Sequence, residues 1–273
     1  MTSLDGGFTP KMRPVPLRRA SIVAALDIGT SKIACMIGRL KPMTPQDVLP
    51  GRSHAVEVLG LSHVQACGIK AGAVADLHAA EQSIRKAVAL AERMAGVQIE
   101  SVLVAVSAGR LGSALIEAQA DPRANAVVQR DIDRAMTAGI YHATGDGRAV
   151  LHALPVNYTV DGVRGVRNPC GMVARQFGVE LNVVTADATV AKNLMLAVER
   201  CHLVVEAMVA GPYVAGLAVL ADDESDLGAA VIDMGAGTTT IATYSGGQFT
   251  HASGFALGGQ HITMDIARGL GTC

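Results

Sequence analysis

The sequence predicts an α/β protein in which one type of hairpin is used twice, and three observations carry that expectation. The stretch AAVIDMGAGTTTIATYSGG (229–247) reads as a strand ending in an acid, a tight turn marked by Gly235 and Gly237, and a second, β-branched strand. A weaker copy, AALDIGTSKIACMIG, occupies residues 24–38. Half of the 273 residues are apolar but only 3% are aromatic, so the core is made of Ala, Val, Ile and Leu, as in α/β proteins. That length suffices for one large or two ordinary domains, which typically run to about 100–200 residues.

Taken in order, residues 1–20 carry Lys11, Arg13, Arg18 and Arg19 among three prolines and are expected to be a disordered tail. The apolar run from Ala20 to Leu26 stops at Asp27 and has no cleavage site, which argues against a signal peptide. Ser21 to Gly29 and Lys32 to Leu40 form the first hairpin, followed by a loop through Pro42, Pro45 and Pro50 and a strand at Val56 to Leu61. Asp76 is a plausible N-cap for a helix whose apolar residues Leu77, Ala80, Ile84, Val88, Ala91 and Met94 recur at steps of three and four until Gly96. SVLVAVSAG (101–109) is apolar without alternation, the pattern of a central strand covered on both faces.

Residues 108–177 change character, with more Gly, Pro, Asn and Arg, a helix near Arg130 to Ala143 and a strand at 150–162, so an insertion or small subdomain is expected. The strand and helix rhythm then resumes: a strand at 178–186, a helix from Ala188 to Cys201, a strand at Val204 to Val209, and a helix with Pro212 in its first turn. The uncharged stretch Ala207 to Ala221 is shorter than the roughly 20 residues needed to span a bilayer and is broken at Gly211-Pro212. No transmembrane helix is expected. DDESD (222–226) reads as a solvated loop; after the second hairpin come a strand near Thr250 to Leu257, Gly258-Gly259, and a helix at His261 to Ala267.

Composition narrows the function. A net charge of −1 and the lack of a basic stripe interleaved with aromatics give no case for nucleic-acid binding. Cys35, Cys67, Cys170, Cys201 and Cys273 contain no C-x-x-C pair, as expected of a reducing cytoplasm rather than a disulfide framework or zinc site. The eight histidines are dispersed, so no metal cluster is expected.

The twin turns are where chemistry is expected. Backbone amides in a tight turn converge on a concavity suited to an anion, and glycine permits positive φ and close approach to a ligand. Thr30 and Ser31 in the first turn, with Thr238 and Thr239 in the second, add hydroxyl donors. Asp27 and Asp233, each ending a strand, would repel phosphate unless a divalent cation such as Mg²⁺ lies between carboxylate and phosphate oxygens. D-x-G-T also occurs in ordinary hairpins, where the Asp closes an Asx-turn. Two copies about one domain apart favour a duplicated phosphate clamp.

LDIGTSKIACMIG and VIDMGAGTTTIATYSGG resemble the two phosphate motifs of the actin/Hsp70/sugar-kinase superfamily. Within it, VLHALPVNYTVDGVRGVRNPCGM (150–172), AKNLMLAVERCHLVVEAMVAG (191–211) and GGQHITMDIARGLGT (258–272) resemble the FtsA family of bacterial cell-division actin homologues. The similarity covers nearly everything from residue 21 onward. The 150–172 segment is its specific part, because this family carries a strand-helix-strand-strand (SHS2) insert in its first lobe.

The resemblance implies an actin-like (RNase H-like) fold. Residues 21–107 and 178–221 would form a complete first lobe, 108–177 its inserted α+β subdomain, and 222–273 the start of a second lobe. It further implies a cytoplasmic protein that binds ATP with Mg²⁺, assembles into filaments with itself and docks FtsZ. It would hold the Z ring to the inner membrane through a C-terminal amphipathic helix, and its insert would recruit later division proteins. Carried onto this chain, Asp27, Gly29, Thr30, Ser31 and Lys32 would face the β- and γ-phosphates from one lobe, and Asp233, Gly235, Gly237, Thr238 and Thr239 from the other. Lys32 is equally readable as a solvated strand residue.

Three departures from the pattern set further expectations. The second turn has Ala236 where the superfamily often has glycine, so either that residue keeps negative φ or the loop is reshaped. The helix start GPYVAGLAVLA (211–221) lacks the glutamine or acid by which hydrolytic relatives place water, so little or no hydrolysis is expected. The chain stops before the expected adenine-binding glycines, FtsZ-docking subdomain and membrane anchor, which implies a fragment with weak ATP affinity on its own. The rival readings are a PilM-like type IV pilus scaffold, disfavoured by Asn168, Pro169 and Gly171, and a small-molecule kinase. The only tempting base for the kinase, Asp161, reads better as a turn residue.

Overall fold

The computed structural model describes residues 9–272 apart from 13, 17, 44–52, 109, 123–125 and 144–146. Pro45, Pro50 and Cys273, named from the sequence, lie outside the described residues.

The chain opens with β1 (Ser21–Ile28) and β2 (Lys32–Pro42), followed by β3 (His54–Gln65), a short ribbon of β4 (Ile69–Lys70) and β5 (Ala73–Val74), and α1 (Leu77–Ala95). The α1 boundaries follow from two residues. The Asp76 carboxylate accepts from the N–H groups of His78 and Ala79, and Gly96, in the left-handed region at φ 68°, closes the last turn. After α1 come β6 (Ser101–Val106), β7 (Gly112–Ala120), α2 (Gln129–Ala143), β8 (Arg148–Val160), β9 (Val163–Val166) and β10 (Phe177–Asp187). The remainder is α3 (Ala188–Glu199), β11 (Val204–Ala210), α4 (Gly211–Val219), α5 (Asp222–Leu227), β12 (Ala229–Met234), β13 (Thr239–Ser245), β14 (Gln248–Phe255) and α6 (Gly259–Leu270).

A five-stranded sheet in the order β11-β6-β1-β2-β3 forms the first lobe, with β1 parallel to β6 and antiparallel to β2. Its main core joins Leu26, Ile33, Cys35 and Ile37 of this sheet to Ile84 and Ala91 of α1 and to Leu194 and Val198 of α3. Burying such aliphatic side chains contributes about 1.5–3 kcal/mol each.

The second sheet runs β12-β13-β14-β7-β10-β8-β9. Its β7, β8 and β9 belong to the insert, which has a separate core built on Phe177, Leu181, Val160 and, from α2, Ile132 and Ile140. Gly139 lets α2 approach that sheet, since a Cβ there would lie 2.8 Å from Leu181 Cδ1. The strand at Phe177–Asp187, expected to begin the second part of the first lobe, pairs with β7 on one side and β8 on the other. Pairing with the insert therefore continues past residue 177. The insert meets the second-lobe strands through the β14–β7 pair Ser253 and Gly112 and a buried hydrogen bond from Asn182 Nδ2 to the Phe249 carbonyl.

Two local expectations are corrected. DDESD is not a loop: it forms α5, its three acids in the first turn complementing the helix dipole and Glu224 Oε2 accepting from the Ala221 N–H. Within the segment expected to be a disordered tail, Thr9 is buried and both its N–H and its hydroxyl donate to the Val150 carbonyl. Two hydrogen bonds to the buried Val150 carbonyl near the start of β8 fix what composition alone marks as mobile.

Candidate functional site

The two turns are the same structure residue by residue. Asp27 pairs across its hairpin with Ala34 and Ile28 with Ile33, while Asp233 pairs with Thr240 and Met234 with Thr239. In each turn the first glycine donates to the residue three positions on, Gly29 N–H to the Lys32 carbonyl at 3.0 Å and Gly235 N–H to the Thr238 carbonyl at 2.8 Å. Thr30-Ser31 and Ala236-Gly237 are therefore equivalent two-residue tips.

The tips meet. A Cβ on Gly237 would lie 2.7–3.0 Å from Oγ1, Cγ2 and Cβ of Thr30, so only glycine admits the Thr30 side chain at that point. The turns after Asp27 and Asp233 thus meet at their tips. The expected use of positive φ is corrected: none of Gly29, Gly235, Ala236 and Gly237 has it. Glycine is required for closeness instead, Gly29 against the Lys32 carbonyl and Gly237 against Thr30. Of the two possibilities at Ala236, the residue keeps negative φ.

Each tip is pinned by a different element. On the first lobe, the Ala66 N–H donates to the Ser31 carbonyl and the Gly72 N–H to Thr30 Oγ1, leaving the Thr30 hydroxyl proton available. On the second, the N–H groups of Gly259 and Gln260 at the start of α6 donate to the carbonyls of Gly235 and Ala236. Gly258, the N-cap, lies directly against that turn. Gly72 and Gly259 were not assigned to the site from sequence; the only hint was that each follows or belongs to a glycine-marked turn, at Ala71-Gly72 and Gly258-Gly259.

Electrostatics join the two acids. Burial holds the Asp27 carboxyl above the usual carboxylate range, repulsion from Asp233 adds to it, and the Lys32 ammonium partly offsets both. Asp27 is exposed as a residue while protein around its carboxyl desolvates it. Lys32 is exposed yet near enough to act on Asp27. Two repelling carboxylates on rigid turns are a hard-oxygen pair that a Mg²⁺ ion fits, since that ion uses one or two carboxylates plus phosphate and water. Among the described residues there is no cluster of three or more His, Cys, Asp or Glu placed to hold a metal by itself.

The threonines divide by strand alternation. Thr238 is buried in the turn, its carbonyl taken by Gly235. The Thr239 hydroxyl donates to the Leu257 carbonyl at 2.8 Å, so its proton is committed to the fold rather than offered to the cleft as the sequence suggested. Asp161 has φ 46° and its Oδ1 accepts from the N–H groups of Arg175 and Gln176, which makes it the turn residue expected. At α4, the N-terminal Ala210 N–H donates to His152 Nε2, and burial takes that imidazole down to about 4, so it is neutral. The His152 ring lies tilted against Tyr213, which meets Phe249 edge-on, joining insert, first lobe and second lobe.

A five-stranded lobe, a second hairpin sheet facing it and an insert between them define the class: an actin-like fold. The PilM-PilN type IV pilus biogenesis complex contains a chain of the same fold, superposing with a TM-score of 0.61 at 18% identity over 92% of this chain and 66% of that one. Family models described as the SHS2 domain inserted in FTSA and as cell division protein FtsA match residues 109–185 and 230–273. Cell division protein FtsA of Rhizobium meliloti (strain 1021) is 47% identical over 96% of this chain and 60% of its own length. That of Escherichia coli (strain K12) is 31% identical over 92% of this chain and 57% of its own. The chain belongs to the FtsA family of cell division proteins, and it spans about 60% of the length of these curated relatives.

Proposed function

We propose that this chain supplies the phosphate-gripping half of an ATP site in an actin-like division protein. Asp27, Gly29, Thr30, Ser31 and Lys32 from the first lobe and Asp233, Gly235, Ala236, Gly237 and Thr238 from the second hold the β- and γ-phosphates. Asp27 and Asp233 hold Mg²⁺ through water, and Thr239 buttresses the second turn. The observation that carries the reading is the contact of Thr30 with Gly237, which sets two equivalent turns face to face. The ion supplies charge neutralisation between carboxylates and phosphates; the chain's amides and hydroxyls orient the anion.

Hydrolysis is weak or absent, because α4 opens with Gly211, Pro212 and Tyr213, which offer no carboxylate or amide side chain to place water, and His152 Nε2 is occupied by the Ala210 amide. The nucleotide serves assembly. The complete protein forms filaments, binds FtsZ, recruits later division proteins through the insert and sits on the cytoplasmic face of the inner membrane through a C-terminal amphipathic helix. No helix among the described residues is long and apolar enough to cross a membrane. The division reading is preferred to a pilus scaffold because relatives at 47% identity carry the division name, against 18% for the pilus chain.

Calorimetry with ATP on the complete protein tests the site. Mg²⁺-dependent binding that falls at least tenfold in both Asp27→Asn and Asp233→Asn supports it, and binding indifferent to both refutes it. Co-sedimentation with FtsZ tests the assembly role.

A further inference from the structure

This inference rests on the nucleotide reading above. Among the described residues, three buried side-chain atoms have no hydrogen-bond partner: Glu81 Oε2, Asn182 Oδ1 and Thr240 Oγ1. Glu81 is held by ion pairs to Arg85 and Arg200, and Asn182 is anchored through its own Nδ2 to Phe249. Thr240 has no such anchor, and it is 1% exposed.

Its position gives the reason. Thr240 lies on β13 directly opposite Asp233. Cross-strand partners present their side chains on one face of a sheet, so Thr240 shares the face of the Asp233 carboxylate while Thr239 lies on the other. The Thr240 methyl is turned toward β14, where a Cβ on Gly254 would come within 3.2 Å of it. The hydroxyl is buried on the sheet face that also carries Asp233. The equivalent position in the first hairpin, opposite Asp27, is Ala34 and has no hydroxyl. A buried hydroxyl without a partner bears its full desolvation penalty. Completion by a bound ion's environment is one physical reason for such a group.

We propose that Thr240 is a positioning residue for the cation side of the site: when Mg²⁺ and nucleotide are bound, its hydroxyl donates to the Asp233 carboxylate and fixes the oxygen turned to the metal's water shell. The donor is supplied by the second hairpin alone, which makes Asp233 the oriented acid of the pair and Asp27 the repelled one. Groups that orient metal-facing carboxylates in this way change metal affinity by about 10–100-fold when removed.

The test uses the complete protein and ATPγS, titrated with Mg²⁺ and with EDTA, together with melting of the nucleotide-free protein. Thr240→Val is expected to lose about 10–100-fold of the Mg²⁺-dependent affinity. Its affinity in EDTA should be unchanged, and it should melt at or above the wild type, since it discards an unpartnered hydroxyl. Thr240→Ser restores the Mg²⁺ dependence. Should the valine variant not fold, Thr240→Ala is read in the same way, and it adds no further loss in an Asp233→Asn background. Wild-type-like Mg²⁺ dependence in the valine or alanine variant, or an equal loss with and without Mg²⁺, overturns the inference and leaves the nucleotide reading standing. Failure of the wild type to bind ATPγS with Mg²⁺ overturns both.

Discussion

In the first hairpin the residue before the acid, Leu26, is completely buried in the main core; in the second its counterpart, Ile232, is 64% exposed. Registers, turn hydrogen bonds and tip positions are otherwise equivalent in the two copies. Short-range forces, set by strand residues and glycine, thus give both copies the same shape. What surrounds each copy is decided elsewhere: β1 is a central strand with β6 and β2 on its two sides, whereas β12 is an edge strand. Around the second hairpin Met234, Leu257, Ile262 and Ile266 are also exposed.

The largest effect should come from breaking this contrast directly. In the 273-residue chain Leu26→Ala is expected to cost about 2–5 kcal/mol, whereas Ile232→Ala should change stability by less than about 0.5 kcal/mol; chemical denaturation checks both. Equal costs would mean that the two hairpins are embedded alike.

The joint between the regions gives the next effect. His152 falls from its ordinary 6.5 to about 4 on burial. As pH drops below 6.5 the unfolded chain takes up this proton first, so stability declines between 6.5 and 4 and the loss approaches about 3 kcal/mol at the lower end. His152→Gln keeps an acceptor for the Ala210 amide without titrating, and should flatten that limb of a stability profile against pH.

Smaller changes sharpen the comparison of the tips. Gly237→Ala places a methyl against Thr30 and should destabilise by about 1–3 kcal/mol and reduce nucleotide affinity, with Thr30→Gly partly restoring both. The matching change on the other tip, Ser31→Ala at an exposed site, should be within about 0.5 kcal/mol of neutral. Denaturation and calorimetry on Gly237→Ala, its combination with Thr30→Gly, and Ser31→Ala decide it.

The smallest expected effect concerns the acids themselves. Because the folded Asp27 carboxyl lies above its unfolded value, its ionisation opposes folding, and this opposition grows as pH rises through the unfolded range and on through the folded one. Asp27→Asn should therefore raise the melting temperature of the nucleotide-free chain at neutral pH while weakening Mg²⁺-nucleotide binding. A lower melting temperature would show that Lys32 outweighs burial and Asp233.

Much of this was legible in the residues. Asp76 and Gly96 bracket α1 because a cap and a left-handed stop act over a few residues, and the twin turns were visible because Asp, Gly and β-branched strands recur in the same order. Other features depend on partners distant in the chain. Thr239 and Thr240 are indistinguishable by composition; Leu257 and the register against β12 decide which hydroxyl is committed and which is free. The Phe177–Asp187 strand resembles any apolar strand, and only its two neighbours tie it to the insert. Thr9 sits in a proline-rich segment whose anchor, Val150, is far along the sequence.

By itself the sequence determined the duplicated hairpins, their acids and glycines, the bounds of α1 and the family, since each depends on local conformational preference or on an ordered string of residue types. The tertiary structure alone decided that Thr30 fills the space left by Gly237, that Asp27 and Asp233 repel each other, and that α6 braces the second turn. The first two of those outcomes depend on packing between residues some two hundred positions apart. No local pattern encodes such a distance, because it is set only when the two sheets close on each other.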